Sequence, residues 1–193
     1  HHEQDIWKMG GLLRSMPVTA ITFLIGTAAL AGVPPLSGFW SKDAVMAAVQ
    51  NNTMLLIVGS ITAFLTAFYM SRLCTIVFFG KARSEASRKA AEVPWVMRAP
   101  LVILTLGAIL AGFKFAYGWF LEPGALPHPQ GALPLVLTVI GIAGIVAGYL
   151  IYRGRDKDPI RVKVFARKFY IDEIYLFLVR LLQDGLAYIA KAV

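Results

Sequence analysis

The stretch from Gly26 to Met46 sets two adjacent prolines, Pro34 and Pro35, inside an otherwise apolar segment and follows them with Lys42 and Asp43. Proline lacks a backbone donor, so a continuous helix here would strip the carbonyls of Leu30 and Ala31 of their usual partners and press the rings against the preceding turn. The helix must break. Inside a bilayer, broken backbone is tolerated only where protein buries it or where it faces a water-filled path. A break followed at once by two charges is therefore the feature around which the rest of the chain is organised.

Lys42 is expected in the first turn of a second half-helix, capped by Ser37 or Ser41. Desolvation and the positive end of the half-helix dipole both work against its charge, and a lysine so placed can pass protons. Asp43 gains from the same dipole, but consecutive helical residues do not face each other, so its partner is expected elsewhere. The plainer reading of Lys42 is an interfacial lysine that snorkels to a headgroup. The residues alone leave both readings open, an intramembrane charge being a functional hypothesis by default.

Of the 193 residues, 58% are hydrophobic, with a mean hydropathy of +0.65, above the roughly 45–50% usual in soluble domains. This is the composition of an integral membrane chain. A net charge of +8 would suggest nucleic acid in a soluble protein, but here the basic residues cluster in short connections between apolar spans, which fits membrane topology. The bilayer, and no nucleic acid, is the expected partner. The single cysteine, Cys74, lies in an apolar span and reads as packing. No charged leader with a small-residue cleavage site opens the chain, so no signal peptide is expected. The opening inside what looks like a loop reads as a piece of something longer.

The expected fold is all-α: a polytopic transmembrane helix bundle with a proline-broken helix and a C-terminal amphipathic helix. Residues 1–16 form a loop or short surface helix carrying Lys8 and Arg14. The membrane domain, 17–152, comprises four spans: the broken helix 17–50, then 54–79, 99–121 and 131–152, against about 20 residues needed per crossing. Arg72, near the end of the second span, is read as snorkelling, with a place in an ion path as the alternative. Lys114 in the third span, beside Tyr117 and Trp119, is read as interfacial, with a second protonatable site as the alternative. Glu122 and His128 fall in a turn, the histidine without partners at metal-ligand spacing. Gly144 and Gly148 in the fourth span let another helix approach closely.

A basic linker, 153–168, follows, with Arg153, Arg155, Lys157, Arg161, Lys163, Arg167 and Lys168 against Asp156 and Asp158. If each span crosses once, every basic connection lies on one side, and the turns at 51–53 and 122–130 on the other carry no Lys or Arg. The basic side is then cytoplasmic. In residues 169–193, Glu173, Arg180, Asp184 and Lys191 fall on one narrow helical stripe, so this segment is an amphipathic helix suited to lying along the surface. No phosphate-binding glycine loop, paired-cysteine metal motif or nucleophile with a recognisable base occurs, so no bond-making site is expected in the chain.

Three stretches resemble one family. Glu3-Gln-Asp-Ile-Trp-Lys-Met-Gly-Gly-Leu12 with Met16-Pro17 is similar to the loop entering the later helices of the antiporter-like subunits of respiratory complex I. Ala29-Leu-Ala-Gly-Val-Pro-Pro-Leu-Ser-Gly-Phe-Trp-Ser-Lys-Asp43 resembles their broken-helix signature. Phe169-Tyr-Ile-Asp-Glu-Ile-Tyr175 with Val179-Arg180 resembles the start of the lateral helix of the largest such subunit. Tyr69-Met-Ser-Arg-Leu73 and Phe78-Phe-Gly80 agree more weakly.

The resemblance implies a proton-translocating subunit of NADH:quinone oxidoreductase in a bacterial inner membrane. Its Gly-Phe-x-Ser-Lys-Asp motif implies that Lys42, with Asp43 beside it, belongs to a distal proton-transfer site. It also implies that NADH, flavin, iron–sulfur clusters and quinone are bound by other subunits and that this chain holds no cofactor or metal. Neighbouring antiporter-like subunits are the implied partners, braced by a lateral helix beginning at 169–193. The family's earlier helices are missing, so the chain is expected to be the later part of a longer subunit and not to pump alone. Two rivals stand beside this reading: the large subunit of a multisubunit sodium/proton antiporter, whose similar motif usually ends in Glu where this chain has Asp43, and a non-transporting scaffold in which Lys42 only forms an ion pair.

Overall fold

The computed structural model describes residues 5–113, 116, 131–160 and 168–192, the side chains of 168 and 184–192 excepted. Lys114, Tyr117, Trp119, Glu122, His128, Arg161, Lys163 and Arg167 lie outside the described residues, as do the side chains of Lys168, Asp184 and Lys191. All regular structure among the described residues is helical. A 3-10 turn at Ile6–Lys8 precedes α1 (Leu12–Ser15), α2 (Pro17–Ala31), α3 (Ser37–Ala48), α4 (Thr53–Val77), α5 (Glu85–Arg88), α6 (Trp95–Leu110) and α7 (Leu133–Tyr152). A second 3-10 turn, Lys168–Tyr170, leads into α8 (Ile171–Ala192). Helices α4 and α7 are long and apolar enough to cross a membrane, and α2 and α6 are shorter apolar helices. The all-α membrane-bundle expectation holds.

Local chemistry sets the helix ends. Asn52 caps α4, its Oδ1 accepting from the Leu55 N–H at 3.2 Å, so the turn at 51–53 is also the start signal of the next span. Helix α2 opens with Pro17 at its first position, where a missing N–H costs nothing. It closes at Gly32, in the left-handed region at φ 82°, where the Val33 N–H reaches back to the Ala28 carbonyl at 2.9 Å. Glycine there, with proline just after, is a helix stop in its own right. The helix thus ends before Pro34 and not at it. The connection 81–98 is also more ordered than a polar loop: Ser84 caps α5, and α6 begins at Trp95, which puts Arg98 in its first turn.

Helices α4 and α7 pack along a stripe of small residues. On α7 the buried positions are Leu137, Gly141, Gly144, Gly148 and Tyr152, all on one face at spacings of three and four. A side-chain carbon at Gly144 would lie 2.7 Å from the Phe64 carbonyl oxygen, and one at Gly148 2.7 Å from that of Phe68. The backbones meet directly. The Ser71 hydroxyl adds an interhelical bond to the Ile145 carbonyl at 2.7 Å.

Arg83 ties one end of the bundle together. It donates to the Met9 carbonyl at 3.2 Å, the Ile76 carbonyl at 3.1 Å and the Arg155 carbonyl at 2.9 Å, and it meets the Asp156 carboxylate at 3.4 Å. Three segments that the sequence marks as basic connections therefore gather at one end. Arg72 joins them. Its guanidinium lies 5.8 Å from the Trp7 ring centroid and 5.0 Å from that of Tyr152, a cation–π cage that holds it against the protein, where snorkelling alone would leave it free to reach outward.

Residues 158–193 form a separate compact unit. Within it, Asp172 and Glu173 occupy the first turn of α8, where acidic side chains complement the helix dipole. Its large apolar side chains from Ile171 to Leu182 are mostly exposed, Tyr175 at 65% and Leu182 at 65% among them.

Candidate functional site

Between α2 and α3 the chain turns through Gly32, Val33, the cis-linked Pro34 and Pro35, and Leu36. Leu36, extended at φ −69° and ψ 160°, occupies the cap position, and no side chain caps α3. This corrects the expected serine cap. Ser37 is already the first helical residue, and the Ser41 hydroxyl donates to the Gly38 carbonyl at 3.2 Å. The turn is held instead by the Leu36 N–H to the Val33 carbonyl at 3.0 Å and the Trp40 Nε1–H to the Pro35 carbonyl at 3.2 Å. Gly38 backs onto the Ala29 carbonyl so closely that no side-chain carbon fits. The two half-helices touch backbone to backbone.

Lys42 is the sixth residue of α3 and so sits in its second turn, not the first. The helix dipole acts chiefly within the first turn, so shielding from water is the stronger influence on this lysine. Its stem runs over Gly32, where a side-chain carbon would come within 3.1 Å of Lys42 Cδ and 3.8 Å of Nζ. Gly32 is thus fixed twice, by its positive φ and by the lysine beside it. Nζ is out of solvent contact and has no hydrogen-bond partner among the described residues. Asp43 is buried at 6% exposure, and among the described residues no ion pair joins it to Lys42.

Both charges line a cavity of about 300 Å³ whose walls come from α3, α4, α7 and the end of α2. Thr62, Thr66 and Thr138 share its wall. Each hydroxyl proton is committed to its own helix, to Val58 at 2.8 Å, Thr62 at 2.7 Å and Pro134 at 2.8 Å. What remains free on each oxygen is a lone pair. A shielded ammonium and a carboxylate therefore share a pocket whose hydroxyls accept but do not donate, an arrangement suited to holding water or a cation's protons. None of these threonines was singled out from the sequence; the one signal available was that Thr62 and Thr66 stand four apart in an apolar span and so share a face. Thr138 comes from a distant helix and carried no such signal.

At the far end of α2, Glu92 does what no local residue does. Its Oε2 accepts from the Val18 N–H at 2.7 Å and the Thr19 N–H at 3.4 Å, and its Oε1 accepts from the Thr19 hydroxyl at 2.6 Å. A connection some 70 residues away thus caps the broken helix. Burial by itself would raise the Glu92 carboxyl, but the hydrogen bonds from Thr19, Val18 and Val93 outweigh it and hold the group below the usual carboxylate range. Among the described residues no group of three or more His, Cys, Asp or Glu is placed to hold a metal.

Residues 1–68 match the family described as NADH:quinone oxidoreductase/Mrp antiporter, TM, a match that contains the whole break and its charges. The chain is 36% identical to NADH-quinone oxidoreductase subunit L of Rickettsia bellii, over 92% of this chain and 32% of that protein. It is also 36% identical to the chloroplastic NAD(P)H-quinone oxidoreductase subunit 5 of Nephroselmis olivacea, over 89% of this chain and 30% of that protein. With subunit L of Mycobacterium tuberculosis the identity is 35% over 79% of this chain and 26% of the relative. The chain spans about a third of the length of the curated relatives it matches. On these likenesses the chain belongs to the family of antiporter-like transmembrane subunits typified by NADH-quinone oxidoreductase subunit L.

Proposed function

We propose that the chain is the proton-handling later part of an antiporter-like subunit in a proton-translocating NADH:quinone oxidoreductase, and that Lys42 exchanges protons with water in the cavity at the helix break. The observation that carries this reading is the Lys42 Nζ, shielded and without a hydrogen-bond partner among the described residues, in a pocket shared with Asp43 and acceptor hydroxyls. An ammonium without a fixed acceptor can release its proton to water and take one back without first breaking an ion pair. Asp43, buried in the same wall, accepts or returns that proton.

The driving reaction belongs to other subunits, which bind NADH, flavin, iron–sulfur clusters and quinone. Coupling over that distance needs an element with two arrangements, and the five-residue joint between α2 and α3 is the element this chain offers. Neighbouring membrane subunits of the complex are the partners, and the bacterial inner membrane is the setting. The gathering of segments 5–9, 76–83 and 155–156 around Arg83 supports a four-span topology with the basic connections on the cytoplasmic side. The residues from 169 onward begin a lateral helix along that face.

A cation antiporter subunit is the second reading, favoured by the family description itself, which covers both. A scaffold is the third. Lys42→Met in the full-length subunit separates them from the first: in membranes with normal subunit assembly, proton transport driven by NADH is lost under the proposed reading. Normal transport would overturn it in favour of a scaffold, and sodium-coupled exchange without NADH would favour the antiporter.

A further inference from the structure

A second cavity, of about 280 Å³, opens between α2 and α7 and shares no lining residue with the Lys42 cavity. Its walls are Leu24, Thr27 and Ala28 of α2 and Ile145 and Tyr149 of α7, with Phe79 also in its lining. The floor is α4, which contributes three polar side chains, Ser71, Cys74 and Thr75. All three are satisfied inside the protein. Ser71 donates to Ile145 at 2.7 Å, Thr75 donates to the Ser71 carbonyl at 2.7 Å, and Cys74 Sγ meets the Thr27 hydroxyl at 3.3 Å. The slot consequently presents an almost wholly apolar surface, a poor place for water and a good one for a hydrocarbon chain.

One lip of the slot carries a cation. Arg153, exposed at the C-terminal end of α7, has its guanidinium 5.5 Å from the ring centroid of Tyr149, which is itself a wall residue. It pairs with no carboxylate among the described residues. An apolar slot between two helices, with an exposed arginine set against the ring of one of its wall residues, has the chemistry of a phospholipid site: acyl chain inside, phosphate at the rim. The charge at the lip selects an anionic headgroup over a zwitterionic one.

We propose that the slot between α2 and α7 holds one acyl chain of an anionic phospholipid whose headgroup phosphate is taken by Arg153. The lipid then fills the space that the two helices leave over α4 and ties α2, the first half of the broken helix, to α7.

The test uses the full-length subunit in its assembled membrane complex and phosphatidylglycerol carrying a photoreactive diazirine in one acyl chain, with adducts mapped by mass spectrometry. Adducts are expected at Leu24, Ala28 and Ile145, about five-fold fewer with the matching phosphatidylcholine probe or with Arg153→Gln, and none with Ala28→Phe, which fills the slot. Assembly of each variant is checked alongside, and Arg153→Gln, at an exposed position, keeps the test open if Ala28→Phe does not assemble. Equal labelling by both probes, undiminished by Arg153→Gln, would overturn the headgroup assignment. Labelling confined to outward residues such as Leu135, with none in the slot, would overturn the proposal and show that another protein segment covers it.

Discussion

Glu92 and Gly32 fix the two ends of α2, and each does so by a means with its own signature. Glu92 gathers three donors at the helix start, so Glu92→Ala is expected to cost about 1 kcal/mol, as loss of a cap does, and to speed amide exchange at Val18 and Thr19. The pH dependence has a definite sign. The folded carboxyl lies below its ordinary value of 4.5, so the cap contributes fully above that pH and is lost as pH falls through the folded value. Protection of those two amides should therefore hold from pH 8 down to 5 and decline only on further acidification, which hydrogen exchange at a series of pH values measures. The capping residue could not be read from the sequence. Its partners lie some 70 positions away, and nothing local distinguishes Glu92 from Glu85, which makes only an exposed pair with Lys89. Lys42 was legible because a charge in an apolar segment is conspicuous. Its turn of the helix was not, because Leu36, rather than a serine, takes the cap position.

At the scale of elements, the apolar runs announced the helices and the glycines announced which of them touch. The Gly144 and Gly148 spacing predicted a close helix partner, and the partner is α4. Gly144→Leu should cost about 1–3 kcal/mol or prevent packing outright, since its side chain meets the Phe64 backbone 2.7 Å away and backbone cannot step aside. Gly26→Ala is the matched control: nothing lies within 4 Å of the added carbon, and a glycine replaced in a helix interior gains about 0.5–1 kcal/mol. Thermal unfolding of the two variants in detergent should move in opposite directions. Boundaries were less legible than contacts. Helix α2 stops at Gly32 because a left-handed glycine satisfies its last carbonyls, and the prolines merely prevent its resumption until Ser37.

For the whole molecule, the charge asymmetry along the sequence has a structural counterpart in the Arg83 junction, where three basic connections share one side chain. A topology with those connections on the cytoplasmic side predicts that Lys89→Cys and Asn51→Cys, both exposed positions, react with an impermeant thiol reagent from opposite sides of the membrane. Native Cys74 is buried and should stay silent in both. The role of Lys42 is tested most directly by NADH-driven proton uptake, recorded together with NADH oxidation, in inverted vesicles carrying the full-length subunit with Lys42→Ala. Uptake and oxidation falling together, with the complex fully assembled, is the result that a coupled proton-transfer lysine at the break requires. Both rates remaining at the level of the unaltered subunit would contradict it and leave Lys42 a structural residue.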